Sequence, residues 1–303
     1  MWGIPVLSIV EVSHIIKAYR DHTVVNDVSF DVNSGEVFGL IGPNGAGKTT
    51  IIRMMMDLVK PDSGKVTILG EALSEAAKNL IGYLPEERGL YLNMKVIESL
   101  VYLATLKGMD KQSAAQKAEE LLQRIDMLPH RNKKIKELSR GMGQFVQFLV
   151  TIIHGPRLVI LDEPFANLDP VNTQLIKDMV LEMRNQGKAL ILSTHRMNEV
   201  EELCDRILMM DDGRTVLYGN LAEIKERYRN NSVVVEYEGE LGKVAGVVRR
   251  QEHNGHIELF LETGTAPQQV LAQLVNRGIV VKRFEVSTPP LHDIFLQVVE
   301  AGQ

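Results

Sequence analysis

Residues 42–49 read Gly-Pro-Asn-Gly-Ala-Gly-Lys-Thr, and this stretch decides the fold. It follows an apolar, strand-like run at residues 37–41 and leads into a helical pattern at residues 50–58. The glycines let the chain turn tightly, so that N–H groups point at phosphate oxygens, and the following helix adds the positive end of its dipole. Lys48 can reach the outer phosphates and the Thr49 hydroxyl can bind Mg²⁺. The stretch therefore predicts a nucleotide-phosphate site rather than a structural glycine turn.

Acidic and imidazole side chains follow two further apolar runs. Asp162 and Glu163 come directly after residues 158–161, and His195 comes shortly after residues 189–192. In an open parallel sheet, ligands bind at the carboxyl ends of the strands, so these side chains are expected beside the phosphate loop. Asp162 is then placed to hold Mg²⁺, and Glu163 is placed to polarise a water molecule in line with the outer phosphate. His195 can contact that water molecule or the outer phosphate. Capping of the next helix is the alternative for the acidic pair, and an ordinary surface position is the alternative for the histidine.

The order of patterns predicts an α/β fold: a parallel core with an antiparallel β edge and a helical insert, plus a small C-terminal α+β domain. Half-buried antiparallel strands are expected at residues 7–12 and 28–32, and 3.6-residue periodicity predicts helices at residues 96–106 and 114–125. We place an ATPase-like domain at residues 1–220, with the helical part at about 90–155, and an accessory domain at residues 221–303. In the accessory domain we expect strands at residues 232–237, 257–261 and 279–286. We expect helices at residues 267–276 and 291–299.

Composition narrows the classes of function. The 303 residues carry a net charge of −5, which argues against a nucleic-acid partner, and the basic cluster at residues 131–136 is explained by a solvated helix face. Cys204 is the only cysteine, so an intramolecular disulfide is impossible and a reducing compartment is expected. No apolar run approaches the roughly 18 residues that cross a bilayer, and the first residues do not resemble a signal peptide. We therefore predict a cytoplasmic protein, with any membrane spans supplied by another chain.

Several motifs in a fixed order give the sequence a family resemblance. They are the phosphate loop, Leu138-Ser139-Arg140-Gly141-Met142, residues 158–164, Asn167-Leu168-Asp169 and His195. Over about residues 5–220 the chain resembles the ATP-binding subunits of ABC transporters. Residues 81–91 and 290–296 resemble the branch that contains sodium exporters and drug-resistance exporters.

The resemblance implies a site made by two subunits. Two cassettes form a head-to-tail homodimer around two ATP molecules, and Ser139 and Gly141 contact the ATP held by the phosphate loop of the other subunit. Asp169 links the two sites, and Tyr19 stands where the family often stacks an aromatic ring on adenine. Without the resemblance, Ser139 would be a helix cap for a helix at residues 144–153 and Tyr19 a structural tyrosine.

The predicted site residues fall into three groups. The catalytic residues are Lys48, Glu163 and His195. The Mg²⁺ ligands are Thr49, Asp162 and Glu86. The ATP-binding residues are Tyr19, Gly42, Pro43, Asn44, Gly45, Ala46, Gly47, Lys48, Thr49, Thr50, Ser139, Gly141 and Asp169.

By the same resemblance, the protein is the ATP-hydrolysing motor subunit of a membrane transporter, most simply an exporter. It would lie on the inner face of the cell membrane and bind separate permease subunits through the helical insert and the loop at residues 86–94.

Departures from the family pattern leave a rival open. Glu86 stands where most members carry glutamine, although a carboxylate there can still bind Mg²⁺. Gly143 and Phe145 replace polar residues, and residues 165–167 replace smaller ones. An ATP-binding assembly subunit that hardly hydrolyses is therefore one alternative. A soluble cassette ATPase that acts on DNA or ribosomes is the other, although the chain has neither a tandem cassette nor a basic face.

Overall fold

The computed structural model describes residues 8–87, 89–229, 231–253, 255–262 and 264–301 and divides the chain into two units, Met1–Leu221 and Ala222–Gln303. The strands of the first unit are β1 (Ser8–Tyr19), β2 (His22–Asn33), β3 (Val37–Ile41), β4 (Ser63–Ile68), β5 (Ile81–Leu84), β6 (Leu158–Asp162), β7 (Ala189–Thr194), β8 (Arg206–Asp211) and β9 (Arg214–Asn220). The helices are α1 (Lys48–Met55), α2 (Glu75–Lys78), α3 (Val96–Leu106), α4 (Lys111–Arg124), α5 (Arg140–Ile152), α6 (Pro170–Asn185) and α7 (Met197–Leu203). Helix α8 (Leu221–Arg227) begins at the last residue of this unit.

A six-stranded sheet positions the predicted site. Its order is β5-β6-β7-β3-β8-β9, and all neighbours are parallel except the antiparallel pair β8 and β9. Every residue of β3, β6 and β7 is buried, which explains why these strands are continuous apolar runs in the sequence. Because β6, β7 and β3 are adjacent and parallel, their carboxyl ends bring the phosphate loop, the acidic pair and His195 to one edge of the sheet.

The predicted antiparallel edge is a separate three-stranded sheet with the order β2-β1-β4. Its apolar residues join those of the parallel sheet in one core, in which the Phe30 and Phe38 rings stack 5.2 Å apart. β1 and β2 are longer than predicted because bulges interrupt their apolar alternation. Leu7, at the start of the predicted first strand, lies outside the described residues. The predicted α/β fold class is confirmed.

The helical part contains α3, α4 and α5. The predicted bounds of α3 agree with the structure, whereas the prediction began α5 at residue 144 and was wrong: the helix begins at Arg140. The reason is local, because the Ser139 Oγ atom accepts a hydrogen bond from the Met142 N–H and so starts the helix one residue after itself.

The second unit has its own sheet and core. Its elements are β10 (Ser232–Glu238), β11 (Val247–His253), β12 (His256–Leu261), α9 (Pro267–Asn276), β13 (Val280–Val286) and α10 (Leu291–Ala301). The antiparallel sheet has the order β11-β12-β10-β13, and Val233, Leu259 and Leu274 lie in its core. Sequence patterns missed β11 because six of its seven residues are exposed and its two valines are adjacent, so it shows no apolar alternation.

Candidate nucleotide site

The phosphate loop lies against two strands so closely that glycine is required at two positions. Gly42 has φ 151°, and a Cβ atom there would lie 2.3 Å from the Met210 carbonyl oxygen in β8. Gly47 has φ 100°, and its Cβ would lie 2.6 Å from the Val24 carbonyl oxygen in β2. Both positive φ angles and both contacts exclude other side chains. These glycines therefore hold the loop in the tight curve that a phosphate cradle needs.

Lys48, the first residue of α1, is buried at the base of this loop. Its Nζ atom donates hydrogen bonds to the Gly42 and Pro43 carbonyl oxygens, at 2.7 and 3.0 Å. Burial lowers the pKa of the lysine, and the nearby Glu163 and Asp162 carboxylates oppose that shift. An ammonium group has three N–H donors, so Nζ can direct a third hydrogen bond to a phosphate oxygen while the loop carbonyls hold it in place.

Asp162 ends β6 and is almost completely buried. Burial raises the pKa of its carboxyl group. Its Oδ2 atom lies 3.5 Å from the Thr49 Oγ1 atom, which is longer than an ordinary hydrogen bond between oxygens. The two oxygens therefore face each other across a gap on the phosphate side of α1.

Glu163 is held by the end of the neighbouring strand. Its backbone N–H donates to the Ser193 carbonyl oxygen at 2.9 Å, and its Oε2 atom accepts from the Thr194 hydroxyl at 3.1 Å. The Oε1 atom accepts from the His195 backbone N–H at 3.0 Å and lies 2.6 Å from the His195 Nδ1 atom. The φ angle of Glu163 is 48°, an unfavourable value for a residue with a side chain, so surrounding contacts must maintain it.

A cleft of about 310 Å³ connects these groups. Its lining residues are Val24, Asn44, Gly45, Gly47, Lys48, Thr49, Thr50, Glu86, Asp162, Glu163 and His195. Three acidic side chains thus face one lysine, an arrangement that favours a ligand bringing its own cation. Val24 was missed by sequence reasoning, because no pattern marks a residue of the edge strand as part of a binding site.

Other predicted residues lie outside the cleft lining. Gly42, Pro43 and Ala46 belong to the phosphate loop, and the first two contribute the carbonyls that bind Lys48. Tyr19 ends β1, on the hairpin that leads back to Val24 in β2, and its ring is about half exposed. The Lys17 Nζ atom lies 5.5 Å from the centre of the Tyr19 ring.

Ser139 and Asp169 are both helix caps in this structure. The Ser139 Oγ atom accepts from the Met142 N–H at 3.2 Å, and the Asp169 Oδ1 atom accepts from the Asn172 N–H at 3.0 Å. The latter bond lowers the pKa of Asp169. A Cβ atom at Gly141 would lie 3.4 Å from the Asn167 carbonyl oxygen, so these two segments are neighbours. Capping accounts for both polar side chains within one chain, and the N-terminus of a helix such as α5 is a place where an anion can bind.

The oxygen atoms at one side of the cleft are suited to binding a hard cation such as Mg²⁺, together with the phosphates of a nucleotide. Oxygens of Thr49, Asp162 and Glu86 are the ligand type that Mg²⁺ prefers, and two or fewer carboxylates plus phosphate oxygens are usual for it. Within the described residues, no three acidic, histidine or cysteine side chains gather closely enough to hold a metal ion by themselves. The residues therefore fit a cation whose shell is completed by phosphate oxygens and water.

Comparisons with known proteins agree with this geometry. Residues 25–166 match the ABC transporter family model, and residues 219–299 match the model of the C-terminal domain of DrrA1-3-like ATP-binding proteins. The chain is 39% identical over 293 residues to YhaQ of Bacillus subtilis (strain 168), described as an uncharacterized ABC transporter ATP-binding protein, with 96% of this chain and 98% of YhaQ covered. It is 34% identical to the Nod factor export ATP-binding protein I of Rhizobium sp. (strain N33), with 95% of this chain and 96% of that protein covered.

A solved structure described as the ATP-binding subunit of an ABC transporter superposes with a TM-score of 0.68 and 30% identity, covering 73% of this chain and 93% of the other. The chain belongs to the ATP-binding subunits of ABC transporters. The resemblance predicted from the sequence is confirmed, and the protein is an ATPase of the kind that powers transport. Subunits of this family work with separate membrane subunits. None of the helices in the described ranges is long and apolar enough to cross a membrane.

Proposed function

We propose that this protein is the motor subunit of an ABC exporter, and that it acts as a head-to-tail homodimer with two ATP molecules between the subunits. The observation that carries the proposal is the division of the site within one chain. Lys48, Asp162 and Glu163 line one cleft, whereas neither Ser139 nor Gly141 is among its described lining residues. The capped N-terminus of α5 can complete the cleft of a second copy. Export as the direction is supported by the relatives named for Nod factor export and by the DrrA-like second unit.

In this proposal the residues of the cleft divide the chemistry of hydrolysis between them. Lys48 and the loop amides bind the phosphates, and the α5 N-terminus of the partner stabilises charge that develops on them. Glu163 orients the attacking water, and His195 fixes the Glu163 carboxylate through the 2.6 Å contact. Thr49, Asp162 and Glu86 would hold Mg²⁺, which neutralises phosphate charge and orients the phosphate oxygens when bound.

The departures from the family pattern are compatible with turnover. Phe145 and Phe165 are buried, so these side chains alter packing rather than the charges around the cleft. The Lys177 Nζ atom lies 5.9 Å from the Phe165 ring, on the side of α6. These two substitutions therefore add no charge to the cleft, and phosphate release by the purified protein distinguishes a hydrolysing subunit from an assembly subunit that only binds ATP.

A surface for the membrane subunits is offered by exposed apolar residues near the helical part. Tyr91, Leu92, Tyr102 and Leu106 are each at least two-fifths exposed, and the rings of Tyr91 and Tyr102 lie 6.0 Å apart. Exposed apolar clusters mark binding surfaces for other proteins. Arg88, in the same loop, lies outside the described residues. Through this contact the protein would lie on the inner face of the membrane.

The test is the variant Glu163→Gln, measured by sizing chromatography and by phosphate release. We expect the rate of hydrolysis to fall about 100-fold or more, because the group that orients water is lost. ATP with Mg²⁺ should convert the variant from monomer to dimer, because bound ATP remains intact between the subunits. Lys48→Ala should abolish both ATP binding and dimer formation. Unchanged turnover in Glu163→Gln, or a monomer at saturating ATP, would reject the proposal.

A further inference from the structure

Two glutamines of α5 face the loops of the nucleotide cleft. Gln144 and Gln147 are one turn apart and only 5% and 4% exposed. The Gln144 Nε2 atom donates to the Pro164 carbonyl oxygen at 3.2 Å. The Gln147 Nε2 atom donates to two carbonyl oxygens, those of Pro85 at 3.1 Å and Glu87 at 3.2 Å. One face of the helix is thus bonded to two separate loops.

These carbonyls stand next to carboxylates that line the cleft. Pro85 and Glu87 are the residues on either side of Glu86, and Pro164 follows Glu163. A side chain that fixes both neighbours of Glu86 restricts the backbone from which its carboxylate projects. Gln147 therefore bonds the backbone on both sides of Glu86, although it is not among the described residues that line the cleft.

Packing alone does not explain an amide at residue 147. Within the described ranges the Gln147 Oε1 atom is buried and has no hydrogen-bond partner. A buried acceptor without a partner is unfavourable, and an apolar side chain of the same size would avoid it. The two hydrogen bonds donated by Nε2 are what the amide contributes at this position.

We propose that Gln147 is a positioning residue that couples the two ATP sites of the dimer. Helix α5 carries Ser139 at its N-terminus and Gln147 two turns further along, so displacement of the helix by the partner's nucleotide moves the carbonyls around Glu86. In this way, closure at one composite site changes the position of a candidate Mg²⁺ ligand at the other. This inference rests on the proposed dimer and adds a named connection to it.

A neighbouring residue of α5 provides a matched control. The Thr151 Oγ1 atom lies 3.4 Å from the Tyr83 carbonyl oxygen of β5, one turn beyond Gln147. Thr151 also bonds the Gln147 carbonyl oxygen at 2.9 Å. Its hydroxyl therefore bonds within the helix and approaches a strand, but does not contact the loop at Glu86. Thr151→Val removes a buried hydroxyl of α5 and leaves the two bonds of the Gln147 side chain.

The experiment measures ATP-driven dimerisation of the full chain in the Glu163→Gln background, by light scattering during an ATP titration with Mg²⁺. Gln147→Met should raise the ATP concentration at half-dimerisation about tenfold, since two hydrogen bonds to the Glu86 loop are lost. Thr151→Val should change it by less than about twofold, although both variants lower the melting temperature. Gln147→Leu serves as a second variant should the methionine variant fold poorly.

If Gln147 acts by positioning Glu86, the effect of Gln147→Met on dimerisation should depend on the presence of the Glu86 side chain. In a Glu86→Ala background, Gln147→Met should cause little further change, because the group that it positions is gone. Two outcomes would reject the role of Gln147 without rejecting the dimer. One is an equal effect of Gln147→Met and Thr151→Val on dimerisation, and the other is a full effect of Gln147→Met in the Glu86→Ala background. A Glu163→Gln parent that stays monomeric rejects the dimer itself and the coupling with it.

Discussion

His195 and Glu163 form the closest polar pair in the cleft. The Glu163 carboxylate accepts hydrogen bonds from the His195 backbone N–H and from the Thr194 hydroxyl. It also lies within hydrogen-bond distance of the His195 imidazole. The left-handed φ of Glu163 means that the glutamate would relax elsewhere if these contacts were lost. In the proposed reaction, His195 would therefore hold the Glu163 carboxylate in place as well as face the phosphates.

We predict that His195→Ala lowers the rate of ATP hydrolysis by about 100-fold. This is the lower end of the rate contribution that a general acid–base group usually makes. The affinity for ATP should change less than about threefold, because Lys48 and the phosphate loop remain. The measurements are phosphate release and the binding of a fluorescent ATP analogue. His14→Ala is the control, since His14 is an exposed residue of β1 that pairs with Asp27. A hydrolysis rate equal to that of the control would contradict the prediction.

Helix α5 and strand β5 touch at Gly82. A Cβ atom there would lie 2.2 Å from the Thr151 carbonyl oxygen, in the backbone of the helix. The helix that carries Ser139 and Gln147 can therefore lie on the sheet only because this strand has no side chain at that point. β5 in turn pairs with β6, the strand that ends at Asp162.

We predict that Gly82→Ala lowers the free energy of unfolding by about 2–3 kcal/mol, because helix and strand must separate to admit a methyl group. Gly89→Ala is a matched control: no neighbouring atom of the described residues lies within 4 Å of its Cβ position, and its φ is not among the positive ones. The control should change the free energy by less than about 0.5 kcal/mol. Urea unfolding followed by circular dichroism gives both values, and equal midpoints would show that the contact is not tight.

Arg206 at the start of β8 ties the parallel sheet to the antiparallel one. Its guanidinium donates two bonds to the Asp31 carboxylate of β2, each of 3.0 Å, and one of 3.1 Å to Glu36. These bonds hold the pKa of Asp31 below its usual value, whereas burial raises the pKa of Glu36. Phe38 and Tyr218 present their rings to the same guanidinium.

We predict that Arg206→Met lowers the free energy of unfolding at neutral pH by about 2 kcal/mol, since the pair is only partly buried. The difference from wild type should shrink as the pH falls into the acidic range: Glu36 is protonated first, because burial raises its pKa, and Asp31 last, because its pKa is lowered, and neither then needs the cation. Urea unfolding at several pH values tests this. A difference that stays constant down to about pH 3.5 would assign the effect to lost packing instead.

The whole molecule consists of two units with separate hydrophobic cores. Residues of β1, β2, β3 and α1 share one core, and residues of β10, β12 and α9 share the other. Every residue that lines the nucleotide cleft belongs to the first unit. The described lining of the cleft is therefore built from residues of the first unit.

We predict that a chain ending at residue 221 folds and binds ATP with an affinity within about threefold of the full protein, since its core and cleft are complete. Isothermal titration with ATP and Mg²⁺ measures this, and Lys48→Ala in the short chain is the control for specific binding. An insoluble fragment, or one with a tenfold weaker affinity, would show that the second unit supports the first.

Much of the fold could be predicted from the sequence where patterns are strong. The bounds of β3, α3 and α9 agree with prediction, because continuous apolar runs and 3.6-residue periodicity identify such elements. The start of α5 and the existence of β11 could not be predicted in this way. The Ser139 side-chain cap determines where α5 starts. β11 forms by pairing with β12, although β11 has no apolar face.

The sequence by itself determined the class of site, because the phosphate loop is eight consecutive residues whose conformation is mostly local. Strand ends also placed Asp162, Glu163 and His195 at one edge. Only the tertiary structure decided that Glu163 bonds the end of β7, that Val24 lines the cleft and that Gln147 holds both neighbours of Glu86. These contacts join residues that lie tens of positions apart, so they depend on strand order and helix packing rather than on any local pattern.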